Sequence, residues 1–244
     1  MKIFTERQFD GSEWHRYETP DSHVFLTSQG RELFGKNHGV SKSLREYARE
    51  AQIEYATPRN GSYETRTFLA EGQNARVFNV EGTGLVVKEK KTIGDDILKS
   101  LGRMDRLVSS VESHAPRWVD IPRHYGALVL KSDLGKQYLL MEKVDAGVSV
   151  GDIVAFREGL DGAREPHLYN SVEDNFGSVT EDLVDEVESK FQLIRYILRD
   201  SLLSDGLSPD VYLPDLDYNR YNVLVEKIDT PVAGSDKKYW VIDQ

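Results

Sequence analysis

At 244 residues the chain is long enough for one large domain or two small lobes, each with a hydrophobic core of its own. Its 39% apolar and 30% charged residues are typical of soluble globular proteins, and the absence of cysteine excludes disulfides, thiolate zinc sites and cysteine nucleophiles. The 31 basic and 41 acidic residues give a net charge of −10, which argues against a protein that binds nucleic acid through neutralised phosphates.

Residues 1–62 are mixed and polar, and we expect them to form an amino-terminal extension whose role the sequence does not reveal. Ser43 to Glu46 has the S-x-x-E pattern of a capping box, so one amphipathic helix is predicted after Ser43. The charged start of the chain does not resemble a secretory signal, and no apolar run approaches the ~18 residues of a membrane span. We therefore expect a cytoplasmic protein without a membrane partner.

Residues 63–144 alternate between short runs rich in β-branched and aromatic residues and turn-forming residues, which predicts antiparallel strands. A helix is predicted after the third strand, because apolar residues recur at helical spacing from Asp95 to Glu112. Five antiparallel strands with one inserted helix predict a compact α+β lobe. The predicted strands are Thr65–Leu69, Arg76–Val80, Leu85–Glu89, His124–Leu130 and Gln137–Met141.

Residues 145–244 begin with a loop-rich stretch that contains one predicted short helix, Val150 to Phe156. Ser178 to Glu181 is a second capping box and opens a long helix with apolar residues at helical spacing. Gly206 stands where a glycine commonly ends a helix. The two strands predicted near the end of the chain, joined by a polar turn over residues 227–238, are Tyr221–Val225 and Tyr239–Ile242.

The turn between the first two strands of this lobe has small residues at the spacing of a glycine-rich phosphate loop. Ala70, Gly72 and Ala75 stand where G-x-G-x-x-G has glycine, although only one of them is glycine. Such a loop needs small residues because backbone amides must come close to the phosphate oxygens. A plain hairpin turn is the alternative interpretation.

Lys88 lies in the third predicted strand, directly after two valines. A lysine flanked by buried residues on a strand that faces a phosphate loop can neutralise the α- and β-phosphates of a nucleotide. The alternative is a surface lysine on an edge strand, because the charged residues Glu89, Lys90 and Lys91 follow it.

Asp217 and Asn222 are five positions apart before an apolar strand, and Asp243 ends the last strand. The aspartate of such a pair can orient or deprotonate an attacking hydroxyl, while the asparagine oxygen binds magnesium. If the two strands pair, Asn222 and Asp243 lie at neighbouring strand ends, where both can hold one Mg²⁺. The alternative is that these residues only form turns, as Asp215 and Asn219 are expected to do.

In order along the chain come a small-residue loop, a strand lysine, a helix, two strands, a long helix, D-x-x-x-x-N, a strand hairpin and a final aspartate. This succession over residues 64–244 resembles the protein-kinase-like superfamily, which includes the aminoglycoside and choline phosphotransferases. A looser resemblance is to the small bacterial kinase-like proteins of the PhoP regulatory network family. Ile121–Gly126 is similar to the approach to the superfamily's fourth strand, and Leu139–Gly147 is similar to its fifth strand and interlobe hinge.

The resemblance implies an α+β, protein-kinase-like fold. A five-stranded antiparallel N-lobe with one helix would span residues 63–144, and an abbreviated, mainly helical C-lobe would span residues 145–244. ATP and Mg²⁺ are the implied cofactors. Lys88 would contact the α- and β-phosphates and would pair with an acidic residue of the following helix, either Asp105 or Glu112.

The same resemblance assigns roles around the adenine and the transferred phosphate. Met141 would be the gatekeeper beside the adenine, and backbone groups of Glu142 and Val144 would form hydrogen bonds with it. The residues implied for catalysis and for Mg²⁺ are the catalytic aspartate Asp217 and the metal ligands Asn222 and Asp243.

Three departures from protein kinases bear on the substrate. Asp215-Leu216 replaces the His-Arg before the catalytic aspartate, and Asn219 replaces a lysine that supports the transferred phosphoryl group. Gln244 follows Asp243 in place of Phe-Gly, so we expect either a minimal kinase domain without an activation segment or a truncated one. We expect a phosphotransferase that acts on a hydroxyl of a protein Ser/Thr or of a small molecule. The alternative is a pseudokinase or regulatory module that binds nucleotide without catalysis.

Overall fold

A computed structural model of the chain describes residues 3–7, 13–18, 22–36, 67–71, 75–80, 83–90, 97–131, 137–144, 148–157, 172, 174–216, 218–232 and 235–242. The chain divides into two compact units. Unit 1 comprises Met1–Asp105 and Arg123–Lys143, and unit 2 comprises Arg106–Pro122 and Val144–Gln244. Each unit has a β-sheet of its own.

Unit 1 is built on an antiparallel sheet of eight strands in the order β1-β2-β3-β8-β9-β6-β5-β4. Helix α1 (Ser28–Lys36) follows β3, and helix α2 (Ile97–His114) follows β6 and belongs to unit 1 as far as Asp105. The strands are β1 (Ile3–Arg7), β2 (Glu13–Glu18), β3 (Ser22–Leu26), β4 (Thr67–Glu71), β5 (Ala75–Val80), β6 (Leu85–Lys90), β8 (His124–Leu130) and β9 (Gln137–Glu142).

The prediction of a five-stranded sheet was wrong in its strand count. The five predicted strands and the helix between them are present, within two residues of their predicted limits. Three further strands from the amino-terminal segment extend the sheet, because β3 pairs with β8 from Ser22 opposite Leu130 to Leu26 opposite Gly126. The helix predicted after Ser43 lies outside the described residues.

The sheet of unit 1 buries side chains on both of its faces. Alternate residues of β6 belong to two separate apolar clusters, since Leu85 and Val87 point to one face and Val86 to the other. Leu101 of α2 belongs to the cluster of Val86, so α2 covers that face. The clusters are Val24, Leu26, Phe78, Val80, Leu85, Val87, Leu128, Tyr138 and Leu140 on one face, and Val86, Leu101, Ala127, Leu139 and Met141 on the other.

Unit 2 contains a four-stranded sheet in addition to its helices, in the order β10-β11-β12-β7. β7 (Val119–Asp120) pairs in parallel with β12 (Ser235–Val241), whereas β10 (Val148–Ser149), β11 (Val223–Val232) and β12 pair antiparallel. The described residues of this unit include the helices α3 (Val150–Arg157), α4 (Glu181–Ser204) and the short α5 (Pro209–Tyr212).

The hairpin of β11 and β12 is longer than predicted. The polar stretch over residues 227–238 was assigned to a turn, but both strands run into it and pair as far as Val232 opposite Ser235. β10 pairs only with Leu224 and Val225, and β7 only with Tyr239 and Trp240. Beyond those pairs the hairpin continues as a two-stranded ribbon. Its polar residues do not alternate with apolar ones as they do in a strand with one buried face, so the sequence did not predict this part as strand.

Helix α4 has well-defined ends. Its amino-terminal cap is Thr180, whose Oγ1 accepts a hydrogen bond from the amide of Leu183, and not the predicted Ser178. At the other end, Gly206 has φ +70° and the amide of Leu207 donates to the carbonyl of Leu202, a Schellman arrangement. The predicted terminating glycine is therefore confirmed.

One side of α4 is buried, as its apolar spacing predicted. The buried residues of α4 are Val187, Phe191, Ile194, Leu198, Ser201 and Leu202.

Among the helices in the described part of the chain, none combines the length and the apolar character needed to cross a membrane.

The observed cap gives a paired test of the start of α4. Thr180→Ala should lower the free energy of unfolding by ~1 kcal/mol, because the amide of Leu183 loses its acceptor. Ser178→Ala, two residues away and equally exposed, should leave it unchanged. Chemical denaturation of the two variants beside the wild type measures both effects, and an equal loss in both would contradict the assigned cap.

Candidate functional site

Lys88 lies in the interior of the sheet of unit 1. Its strand, β6, has β5 on one side and β9 on the other, and Lys88 stands opposite Val77 and Leu139. The side chain is only 3% exposed. The interpretation as a surface lysine on an edge strand was therefore wrong. A buried ammonium group is stable only with a counter-charge or hydrogen-bond partners, so this lysine differs from an ordinary solvated one.

The face of the sheet on which Lys88 lies is the one that α2 covers. Lys88 is two residues from Val86, so the two side chains share a face, and Val86 packs in one cluster with Leu101. Asp105 follows Leu101 by one helical turn and is half-buried, whereas Glu112 is exposed. Of the two acidic partners left open by the sequence, Asp105 is the better placed within unit 1.

The candidate phosphate loop connects β4 and β5, which form the predicted hairpin. Ala70 pairs with Val77 and Glu71 with Arg76, with an irregularity of register between Phe68 and Ala70. Ala70 and Ala75 lie on the two strands. Gly72 lies outside the described residues.

The end of β9 carries the residues expected beside the adenine. Met141 is buried and stands opposite Val86. The amide of Glu142 donates to the carbonyl of Arg123 at 2.9 Å, and the amide of Lys143 donates to the carbonyl of Gly84 at 3.0 Å. Because the Glu142 amide is already bonded, its carbonyl is the group that could accept a hydrogen bond from a base.

The boundary between the two units falls immediately after this strand end. Lys143 is the last residue of unit 1 in this part of the chain, and Val144 is the first of unit 2. The chain therefore leaves unit 1 within the stretch that the resemblance assigns to the interlobe hinge.

Asn222 is held at the end of a short 3₁₀ turn, Arg220–Asn222, just before β11. The Oδ1 of Asn219 accepts hydrogen bonds from the amides of Tyr221 and Asn222, at 2.9 and 3.2 Å, so the turn-forming role predicted for Asn219 is confirmed. Asn222 itself is buried. Its carbonyl accepts a hydrogen bond from the amide of Ile242 at 2.8 Å.

The pairing of β11 with β12 brings Asn222 beside the end of the last strand. Val223 stands opposite Val241, so the residue after β12 is bonded to Asn222. Asp243 is next along the chain from Ile242, but Asp243 and Asp217 both lie outside the described residues. In the part of the chain that the structure describes, no three histidine or acidic side chains form a metal-binding group.

A glycine of α3 determines where the turn before Asn222 can lie. The ring of Tyr221 packs directly on Gly151, and a Cβ atom at that position would overlap the ring carbons. Gly151 is kept in place by a capping box, in which the amide of Asp152 donates to Oγ of Ser149 at 3.0 Å. Sequence reasoning missed this contact, although a glycine inside a predicted helix was visible.

Both chain neighbours of residue 217 are fixed within unit 2. Leu216 is buried, and the ring of Tyr218 stacks on Phe191 of α4 with 4.7 Å between ring centroids. The hydroxyl of Tyr218 also donates to the carbonyl of Phe191, and burial raises its pKa above the usual range. The backbone on either side of the expected catalytic aspartate is thus anchored to one helix.

An ion pair whose lysine is buried connects strand β12 to α4. Nζ of Lys237 donates to Oε2 of Glu186 at 2.8 Å and to Oδ1 of Asp236 at 2.7 Å. Burial alone would lower the pKa of Lys237, but the two carboxylates together raise it above its ordinary value. The hydrogen bond from Lys237 holds the pKa of Asp236 below its usual value.

No protein-family model matches the sequence, and no curated protein matches it. The assignment of a fold family and of roles to the site residues therefore rests on the geometry and on the resemblance of the motifs.

The contact between Gly151 and Tyr221 can be tested by a double-mutant cycle. Gly151→Ala should lower the free energy of unfolding by about 1 kcal/mol, since the overlap outweighs the helix propensity of alanine. In a Tyr221→Ala background the same change should be neutral or stabilising. Thermal and chemical denaturation of the four proteins measure the coupling, and additive effects would contradict the packing.

The ion pair of Lys237 predicts a defined pH dependence. Lys237→Met should lower the free energy of unfolding by about 1–2 kcal/mol at neutral pH, because Lys237 loses its hydrogen bonds with two carboxylates. The loss is modest because both carboxylates are partly solvated. Since the pKa of Lys237 is raised, this difference should persist up to pH 10.5 and shrink as the pH rises further. Since the pKa of Asp236 is lowered, the difference should also shrink below pH 3.8.

Denaturation of wild type and Lys237→Met between pH 3 and 12 measures this difference. Lys131→Met, an exposed lysine at the end of β8, is the matched control. A difference that did not change at either extreme would contradict the ion-pair assignment.

Proposed function

We propose that the chain is an ATP- and Mg²⁺-dependent phosphotransferase with a protein-kinase-like fold, which transfers the γ-phosphoryl group to a hydroxyl. The observation that carries the proposal is the burial of Lys88 on an interior strand. Burying an ammonium group has a desolvation cost that its surroundings must offset, so a buried lysine on an interior strand is a candidate for a chemical role. Contact with the α- and β-phosphates of ATP is the role implied by the motifs.

The arrangement of the sheet supports the same proposal. β4, β5 and β6 are consecutive antiparallel strands, α2 follows, and β8 and β9 then return to the same sheet beside β6. This is the succession that the resemblance implies for an N-lobe. The three amino-terminal strands are an addition at the far side of β8.

Unit 2 supports the proposal through the surroundings of Asn222. A buried asparagine next to the end of β12 suits a magnesium ligand, with Asp243 as the second ligand. Mg²⁺ would neutralise charge on the β- and γ-phosphates. The two proposed ligands, the side chains of Asn222 and Asp243, would need fixed positions. The hydrogen bond from the amide of Ile242 to the carbonyl of Asn222 restrains this part of the chain, and so does the packing of Tyr221 on Gly151.

In the proposed reaction, Asp217 accepts the proton of the acceptor hydroxyl while the hydroxyl oxygen attacks the γ-phosphorus. The bond between the γ-phosphorus and the bridging oxygen of ADP breaks as the new O–P bond forms. Lys88 balances negative charge on the α- and β-phosphates, which is a large part of the stabilisation of such a transition state. The acceptor is a protein Ser/Thr or a small alcohol, and the absence of a lysine at position 219 favours the small alcohol.

ATP binding provides the first test. Calorimetric titration of wild type should show binding that requires Mg²⁺, and Lys88→Met should weaken it about 10–100-fold through the loss of charge-assisted hydrogen bonds. Asn222→Ala should remove most of the effect of Mg²⁺. Lys131→Met, an exposed lysine at the end of β8, is the charge-matched control and should bind as wild type does.

Turnover separates an enzyme from a binding module. Asp217→Ala should abolish ADP formation in an acceptor screen while its ATP affinity stays within a factor of about three of wild type. Magnesium-dependent binding without turnover by wild type would favour the nucleotide-binding module instead. A folded wild-type protein that does not bind ATP would refute both.

A further inference from the structure

Unit 2 has a groove of about 530 Å³ beside the carboxyl-terminal half of α4. This volume is in the range of pockets that hold small organic molecules. Its walls come from α4, from α5 and from the segment that leads to residue 217. The residues that line it include Arg195, Leu198, Arg199, Asp210, Leu213, Leu216 and Tyr218.

The floor of the groove is apolar. Leu198 and Leu216 are buried, Leu213 is half-buried, and Tyr218 contributes an aromatic ring that is already fixed by its stacking on Phe191. An apolar floor with a rigid aromatic wall suits a ring-sized apolar group, because little side-chain freedom remains to be lost when a ligand enters.

The rim of the groove carries two arginines one helical turn apart. Arg195 and Arg199 are exposed residues of α4, and neither forms an ion pair with any residue in the described part of the chain. Asp210 is the one acidic residue of the lining. The two guanidinium groups make this rim locally positive in a chain of net charge −10, and a carboxylate or phosphate could bind both of them.

We propose that this groove binds a small anionic molecule with a ring-sized apolar body, whose carboxylate or phosphate is held by Arg195 and Arg199. None of its lining residues is among those that the proposed function assigns to ATP or Mg²⁺. It has a direct connection to the chain at residue 217, because Leu216 and Tyr218 are both part of its walls.

Phenyl phosphate is a suitable probe, because it combines a ring with a dianion. Titration of ¹⁵N-labelled protein should shift the amide resonances of Leu198, Leu213 and Tyr218, with a Kd on the order of 1 mM. Inorganic phosphate lacks the ring and benzyl alcohol lacks the negative charge, so each should bind at least about tenfold more weakly than phenyl phosphate. Equal shifts with inorganic phosphate would overturn the role of the apolar floor.

The arginines are tested by charge removal. Arg195→Gln combined with Arg199→Gln should weaken phenyl phosphate binding about tenfold or more. Arg117→Gln combined with Arg157→Gln removes the same charge from exposed positions of unit 2 outside the groove, and should leave the Kd unchanged. Equal weakening in both double variants, or resonance shifts away from the groove, would overturn the proposal.

One further variant separates this site from the nucleotide site. Lys88→Met should bind phenyl phosphate as wild type does, with the same resonances shifted. Loss of binding in folded Lys88→Met would mean that the probe occupies the nucleotide site, and would overturn the groove proposal while supporting the proposed function. Retained groove binding in a protein that does not bind ATP would leave the groove proposal standing alone.

Discussion

The sheet of unit 1 buries side chains on both of its faces, and this constraint determines the environment of the residues on strand β6. β6 is flanked by hydrogen-bonded neighbours on both sides, and its alternate side chains enter two separate apolar clusters. A lysine in such a strand cannot reach bulk water. Its ammonium group must be stabilised by neighbouring groups of the protein or by a ligand. The ammonium group of a surface lysine, in contrast, is stabilised by water.

Helix α4 has a comparable role in unit 2. Its amino-terminal half holds four other parts of the unit by side-chain contacts: Glu186 binds Lys237 of β12, Glu188 pairs with Arg220 of the 3₁₀ turn, Lys190 lies over the ring of Trp118, and Phe191 stacks on Tyr218. The segments around residues 217 and 222 are therefore positioned by one rigid element. The proposed groove lies further along the same helix, so the two regions share a single structural support.

The sequence predicted those parts of the fold in which local chemistry and burial agree. Strands β5 and β6 are rich in β-branched residues, and β8 and β9 are rich in other apolar and aromatic residues. All four lie between turns and have buried side chains, so their pattern was visible. Strands β1 and β2 are short and charged, and they join the sheet only through β3, which pairs with residues far away in the chain. Lys88 and Asn222 were predicted from motif spacing, whereas the contact of Gly151 with Tyr221 joins elements about 70 residues apart and has no local signal.

The pairing of β3 with β8 also has a consequence for the order of events during synthesis. Leu26 and Gly126 are partners in the sheet although about 100 residues separate them in the chain. Strand β3 leaves the ribosome before β8, so its edge cannot be completed until β8 has emerged. At a synthesis rate of about 5–20 residues per second, that delay is at least several seconds. During this time β3 has an unpaired edge, which other strands could pair with, so delayed pairing makes this segment prone to association.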